Sequence, residues 1–212
     1  MQTNLPVYLL GIDIKCYLNK PGILEFQSDI NFCLEVLQNG GLILYPTDTI
    51  WGIGCDATNP IAVEKVYALK KRPGKKSLIV LLADKRDVLK YSAQPHLNIF
   101  DYLQTVTVPT TVIYEGAIGL AENIINEDGT AAMRVVNESF CKQLIKRFRK
   151  PIVSTSANIS GEPYPRFFNE ISEKIKKGVN YVVQHGQDDT RIKEPSSVVK
   201  WNIDGTMKVI RP

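Results

Sequence analysis

The chain has 212 residues, 44% of them hydrophobic, enough for one compact domain with a substantial core. Its 26 Lys+Arg against 22 Asp+Glu leave a net charge of +4, so clustering matters more than the sum, and the two basic runs are Lys70–Lys76 (KKRPGKK) and Lys146–Lys150 (KRFRK). Cys16, Cys33, Cys55 and Cys141 lack metal-ligand spacing, which argues against a zinc site, and no apolar run reaches membrane-span length; together these point to a soluble, cytoplasmic protein without a membrane partner.

Residues 1–24 show no clean period and read as an N-terminal extension, with one domain over 25–212. Ser28 can cap a helix whose Ile30, Cys33, Leu34 and Leu37 share a face, and Gly40 ends it. Leu42–Tyr45 is a continuous apolar run of the kind covered on both faces, stopped by Pro46, so Thr47, Asp48 and Thr49 fall at a strand end where ligands bind in open α/β sheets. Gly52 and Gly54 then read as a turn or a close approach. Asn59 caps, and Pro60 opens, a helix to about Lys71 with Val63, Val66 and Tyr67 inward. Ser77–Leu82 is a second apolar strand, which makes that helix a crossover in a partly parallel sheet.

Asp84 caps a short helix, and Leu97, Phe100 and Leu103 mark another before the strand Thr110–Tyr114. Ala131–Val136 reads as a strand with one charge, Arg134; Ser139 caps a helix burying Phe140, Leu144, Ile145 and Phe148; Pro151–Ser154 is a strand running into STSANISGEPYP. A helix near 168–177 and strands near 180–184, 197–200 and 207–210 complete the chain. The alternation predicts an α/β (α+β type) fold: three layers, a twisted mixed parallel/antiparallel sheet with helices on both faces.

Two nucleotide motifs fail on context. Gly52-Ile53-Gly54-Cys55-Asp56-Ala57 fits GxGxxA but is separated from its strand by PTDTIW, and Gly74-Lys75-Lys76-Ser77 leads into a strand where a P-loop needs a helix. The stronger pattern is a convergence of Thr47–Thr49, Lys70–Arg72, Arg134, Ser154–Asn158 and Pro195–Ser197 at the ends of core elements, a set suited to an anion. No Ser-His-Asp set or acid pair accompanies it, so positioning and charge neutralisation of a phosphoryl-type transfer is the chemistry it suits.

YPTDTIWGIGCDA resembles the PT(D/E)T-x-YGLG element of YrdC-like threonylcarbamoyl-AMP synthases, Lys70-x-Arg72-Pro73 followed by Lys76-Ser77-Leu78 resembles that family's K-x-R-P…P-L, and Ser154–Gly161 resembles its SANxSG element. The resemblance spans about residues 28–212 and implies an L-threonylcarbamoyladenylate synthase of YrdC-like fold. Such an enzyme condenses L-threonine, bicarbonate and ATP, with Mg2+, into threonylcarbamoyl-AMP and pyrophosphate, for downstream tRNA threonylcarbamoyl-transfer proteins. Carried over by motif, Thr49, Arg134, Ser156 and Ser196 hold threonine. Arg72, Lys76, Thr130, Asn158, Arg166 and Arg211 hold the nucleotide, and Lys70, Arg72, Ser156 and Asn158 are the catalytic set. The sequence departs from the family at Lys76, at Leu81 in place of a histidine, at Trp51 in place of a tyrosine and at Arg166 in place of a threonine. The alternative is a module of the same fold that binds tRNA or double-stranded RNA without synthase activity; it needs the basic residues but not Thr49, Ser156 or Asn158.

Overall fold

The computed structural model describes residues 26–72, 78–93, 95–96, 98–201 and 206–212. The extension before residue 25, Lys76 and Leu97 lie outside them. In chain order the elements are α1 (Gln27–Gln38), β1 (Ile43–Tyr45), β2 (Gly52–Gly54), α2 (Pro60–Leu69), β3 (Ile79–Leu82), α3 (Val88–Tyr91), α4 (Asn98–Thr105), β4 (Thr110–Tyr114), β5 (Ala131–Val135), α5 (Ser139–Phe148), β6 (Ile152–Ser156), α6 (Glu173–Gly178), β7 (Tyr181–Val182), β8 (Ser197–Trp201) and β9 (Met207–Arg211).

The strands form one nine-stranded sheet in the order β7-β1-β2-β6-β3-β5-β4-β8-β9. Pairs β1–β7, β3–β5 and β4–β8 are parallel and the remainder antiparallel, which is the mixed sheet expected. The crossover differs from the sequence reading. Gly52–Gly54 is a strand rather than a turn, pairing back on β1 as a hairpin, so α2 carries the chain from β2 to β3. Those two strands run parallel but flank β6, which is antiparallel to both.

Local chemistry explains the helix ends. Asn59 accepts hydrogen bonds from the amides of Ile61 and Ala62 ahead of Pro60, a cap worth about 1 kcal/mol. At α5 the cap is Glu138, one residue before the Ser139 expected, with its carboxylate taking the Phe140 and Cys141 amides. A carboxylate there also meets the positive end of the helix. At α1 the expected Ser28 cap is replaced by Phe26, which makes no side-chain cap, and Gly40 closes the helix at a positive φ. Helices α1 and α5 pack on each other and over β1, β7 and β3, burying Ile30, Cys33, Leu37, Phe140, Leu144 and Ile145. Cys33, Cys55 and Cys141 are buried and free, and burial raises all three thiols well above the ordinary range. Among the described residues, no helix is long and apolar enough to cross a membrane.

The register decides what one face of the sheet presents. Gly52 pairs with Ser156, Ile79 with both Ser154 and Ala132, and Leu81 with Arg134, so these side chains share a face. Val80, Val153, Met133 and Val112 point to the other side and are buried in the core. Arg134 and Thr111 alternate with Met133 and Val112, which pair with each other, and so return to the first face.

Candidate active site

That face opens into a cleft of about 210 Å³ bordered by Thr49, Trp51, Gly52, Arg72, Ile79, Arg134, Ser154, Thr155, Ser156, Tyr164, Ser196 and Arg211. Among the described residues, the lining includes the guanidiniums of Arg72, Arg134 and Arg211 and no carboxylate. Hydroxyls alternate with those cations, which is a donor-rich environment for an anion.

Each cation is held from behind. Arg134, 3% exposed, donates from Nη2 to Asp48 Oδ1 at 3.1 Å and to Thr49 Oγ1 at 3.2 Å, while its buried Nε has no partner among the described residues. Thr49 is set in turn by Thr47, whose Oγ1 lies 2.9 Å from Thr49 Oγ1 and accepts the Thr49 amide at 3.0 Å. Arg211, reaching in from β9, donates Nε and Nη2 to the Ser196 carbonyl at 3.0 and 2.7 Å. Arg72, just past α2, donates from Nη1 to Thr155 Oγ1 at 3.3 Å. Burial lowers the pKa of Arg72, and burial followed by the neighbouring Arg134 charge lowers that of Arg211. Both remain cationic at neutral pH, and an arriving anion relieves the crowding.

Lys70 and Asn158 stand behind the wall. The Lys70 ammonium, 2% exposed, donates to the Ser156 carbonyl and to the Asn158 carbonyl at 2.6 Å, and the Lys70 carbonyl accepts the Ser160 amide at 2.9 Å. Burial, reinforced by the Arg72 charge, pulls Lys70 down to about 8. The Asn158 amide is turned into its own loop: Oδ1 accepts from Ser156 Oγ, and Nδ2 donates to the Glu162 carbonyl at 2.6 Å. Lys70 is therefore the post to which Ser156–Ser160 is tied at the end of α2.

Of the residues singled out in the sequence, the structure brings Thr49, Arg72, Arg134, Ser156, Ser196 and Arg211 to the cleft. Thr130 sits at the start of β5, its hydroxyl 2.6 Å from Asp128 Oδ1 and 2.9 Å from Asn126 Nδ2, closing a turn away from the cleft lining. Arg166 borders the adjoining recess behind Thr49–Trp51, beside Arg191 and Lys193. Leu81 is fully buried beside Arg134. Sequence reading missed Tyr164, whose hydroxyl donates to Glu194 at 2.7 Å, and Thr111, whose hydroxyl meets that of Ser196. Tyr164 lies within the polar stretch noted after β6, but nothing in TTVIY distinguishes Thr111 from an ordinary strand threonine.

A family model for the Sua5/YciO/YrdC domain, described as "Telomere recombination", matches residues 35–212. The chain belongs to the Sua5/YciO/YrdC family. It is 32% identical over 160 residues to the protein named threonylcarbamoyl-AMP synthase of Pseudoalteromonas translucida, covering 74% of this chain and 86% of that one. Two solved members share the fold. The structure of P. abyssi Sua5 complexed with L-threonine superposes with a TM-score of 0.77 at 21% identity, over 87% of this chain and 54% of that one. E. coli YciO gives a TM-score of 0.75 at 22% identity, over 87% and 89%. The chain thus spans about half the length of P. abyssi Sua5 (54%) and nearly all of YciO (89%).

Proposed function

We propose that the chain is an L-threonylcarbamoyladenylate synthase, a nucleotidyltransferase that joins L-threonine, bicarbonate and ATP into threonylcarbamoyl-AMP and pyrophosphate for tRNA modification. The observation that carries this reading is the cleft itself, with three guanidiniums, a row of hydroxyls and, among the described residues, no carboxylate on its lining. Such a surface binds a carboxylate and a polyphosphate at once. The curated relatives' name supplies the reaction.

Arg134, with its unpartnered Nε, takes the threonine carboxylate, and Thr49, Ser156 and Ser196 orient the amine and hydroxyl. Arg72 and Arg211 face the nucleotide's phosphates. The threonine amine adds to carbon dioxide derived from bicarbonate, giving a carbamate and releasing a proton. A carbamate oxygen then attacks the α-phosphorus, forming the P–O bond as the bond to the β-phosphate oxygen breaks and pyrophosphate departs. The side chains supply alignment and charge neutralisation rather than covalent chemistry. Lys70 and Asn158 contribute by fixing the Ser156 loop; the resemblance gives Lys76, Thr130 and Arg166 to the nucleotide, although Thr130 and Arg166 stand outside the cleft lining. A tetra-anionic triphosphate brings its magnesium with it and needs no dedicated protein cage for the ion.

The test is pyrophosphate release by purified protein with ATP, magnesium, L-threonine and bicarbonate, each omitted in turn. Release requires all of them; release indifferent to threonine overturns the reading.

A further inference from the structure

Ser156 and Ser196 border one cleft but come from strands that are not neighbours. In the sheet β6 and β8 are separated by β3, β5 and β4, so four inter-strand steps put them about 19 Å apart along it. Ile79 of β3 and Arg134 of β5 line the cleft between them. Strand pairing therefore holds the two walls apart, and whatever joins them comes from the segments beyond the strand ends. Those segments do meet: the Tyr164 hydroxyl, from the stretch after β6, donates to Glu194 Oε2, from the stretch before β8, at 2.7 Å. Tyr164, Pro195 and Ser196 line the cleft, which places this contact at its rim.

Each partner is anchored before it meets the other. On the Tyr164 side, the Ser160 amide is bound by the Lys70 carbonyl and the Glu162 carbonyl by Asn158 Nδ2, and Pro163 and Pro165 restrict the backbone on either side of the tyrosine. On the Glu194 side, Lys193 donates to the Thr47 carbonyl at 3.3 Å and pairs with Asp189 at 3.1 Å, and Arg191 pairs with the same carboxylate at 2.8 Å. The cations that precede Glu194 in the chain are thus spent on Asp189, and Glu194 forms no ion pair among the described residues. Its carboxylate is left to the phenol, and that hydrogen bond is the main cause that raises the Tyr164 pKa, so the phenol carries its proton at neutral pH. A bond between side chains on two tethered segments forms at less entropic cost than one between free surface groups.

We propose that Tyr164 and Glu194 are positioning residues: their hydrogen bond bridges the mouth of the cleft and holds the Ser156 and Ser196 walls at the spacing that the threonine between them needs. The proposal rests on the synthase reading, which places threonine against both serines; the bridge itself touches the substrate only through the walls it joins.

The experiment compares threonine-dependent pyrophosphate release and melting temperature in the full chain, in Tyr164→Phe, in Glu194→Ala, in Glu194→Gln and in the Tyr164→Phe/Glu194→Ala double variant. Tyr164→Phe and Glu194→Ala are each expected to raise the KM for threonine about fivefold, with a smaller change in kcat. The double variant shows the same rise of about fivefold and not the product of the two, because either change removes the same bond. Glu194→Gln, whose amide oxygen still accepts from the phenol, recovers most of the loss. Melting temperatures stay within about two degrees of wild type, since both groups lie at the surface. Wild type without threonine-dependent release fails the synthase reading and takes the proposal with it. Where wild type does release, single variants with its threonine KM overturn the proposal alone. So do single effects that multiply in the double variant, which would make each residue act by itself.

Discussion

Thr111 Oγ1 and Ser196 Oγ stand 2.8 Å apart, the first fully enclosed in β4 and the second on the cleft wall. With Arg211 Nη2 donating to the Ser196 carbonyl at 2.7 Å and, more distantly, to its Oγ at 3.4 Å, the hydroxyl of Ser196 is flanked on one side by a threonine and on the other by the strand β9. Thr111→Val keeps the shape and removes the hydroxyl. It is expected to raise the KM for threonine by roughly tenfold, the loss of one buried hydrogen bond, while the KM for ATP stays put. Thr111→Ser restores it. Steady-state kinetics with each substrate varied in turn check this, and an equal shift in both KM values would reduce Thr111 to a packing residue.

Asp48 and Arg134 form a pair at 3.1 Å with side chains 11% and 3% exposed. Removing one member leaves the other charged and desolvated, which costs more than removing both. Asp48→Ala is expected to lose roughly 3–5 kcal/mol of stability, and Asp48→Ala with Arg134→Met to regain a good part of it. Urea denaturation of wild type, both single variants and the double variant measures the coupling; simple additivity would mean that the pair carries no buried charge.

The strands were legible where the sequence is continuously apolar. Thr110–Tyr114 was read at its observed limits, and β1, β3 and β5 to within two residues. β2 was not legible, because its three residues include two glycines, and a glycine-rich segment signals a turn unless its partners are known. The partner is Tyr45, whose fully buried ring lies against Gly54. The same blindness applied to the site. Motif resemblance identified six residues that reach the cleft, but not that Lys70 would point at backbone carbonyls. Nor could it show that Thr111 supports Ser196 from a strand eighty-five residues away. Those relations depend on strand order, which periodicity does not encode.

Lys70 gives a pH signature. Its folded pKa is depressed to about 8 from 10.5, so the unfolded state binds more protons than the folded state between those two values. Below pH 8 both states are protonated and the cost of the buried charge is present in full. As pH rises toward 10.5 the folded protein sheds that proton first and the cost is relieved. Relative to Lys70→Met, wild type is therefore expected to gain stability with a slope of up to about 1.4 kcal/mol per pH unit across this window. The comparison with the variant is essential, because the buried thiols pull the other way: raised in the fold, they ionise first in the unfolded chain and make absolute stability fall above pH 9. Denaturation midpoints of both proteins at pH 7.5, 8.5 and 9.5 decide it, and a constant difference would show that Lys70 stays charged throughout.

Gly52 and Gly54 sit on the same face of β2, yet an added methyl has different consequences at each. At Gly54 a Cβ would lie 2.6 Å from the Tyr45 ring and 2.9 Å from the Val153 carbonyl oxygen. The oxygen belongs to β6 and also accepts the Tyr45 hydroxyl at 3.1 Å, so neither obstacle can swing aside without breaking the other's hydrogen bond. Gly54→Ala is expected to destabilise by roughly 1–3 kcal/mol, the cost of overpacking a close-packed core, and shrinking Tyr45 to Leu does not cure it because the carbonyl remains. At Gly52 the nearest atom is the Ser154 hydroxyl, 3.0 Å away, which can rotate. Gly52 also lines the cleft, so there the methyl occupies space meant for substrate. Gly52→Ala is expected to melt within a few degrees of wild type while turning over far less well. Melting curves and pyrophosphate-release rates for the two variants separate the roles. A Gly52→Ala enzyme of normal activity would place the substrates away from this strand, and a Gly54→Ala protein of normal stability would mean that β2 and β6 can part without cost.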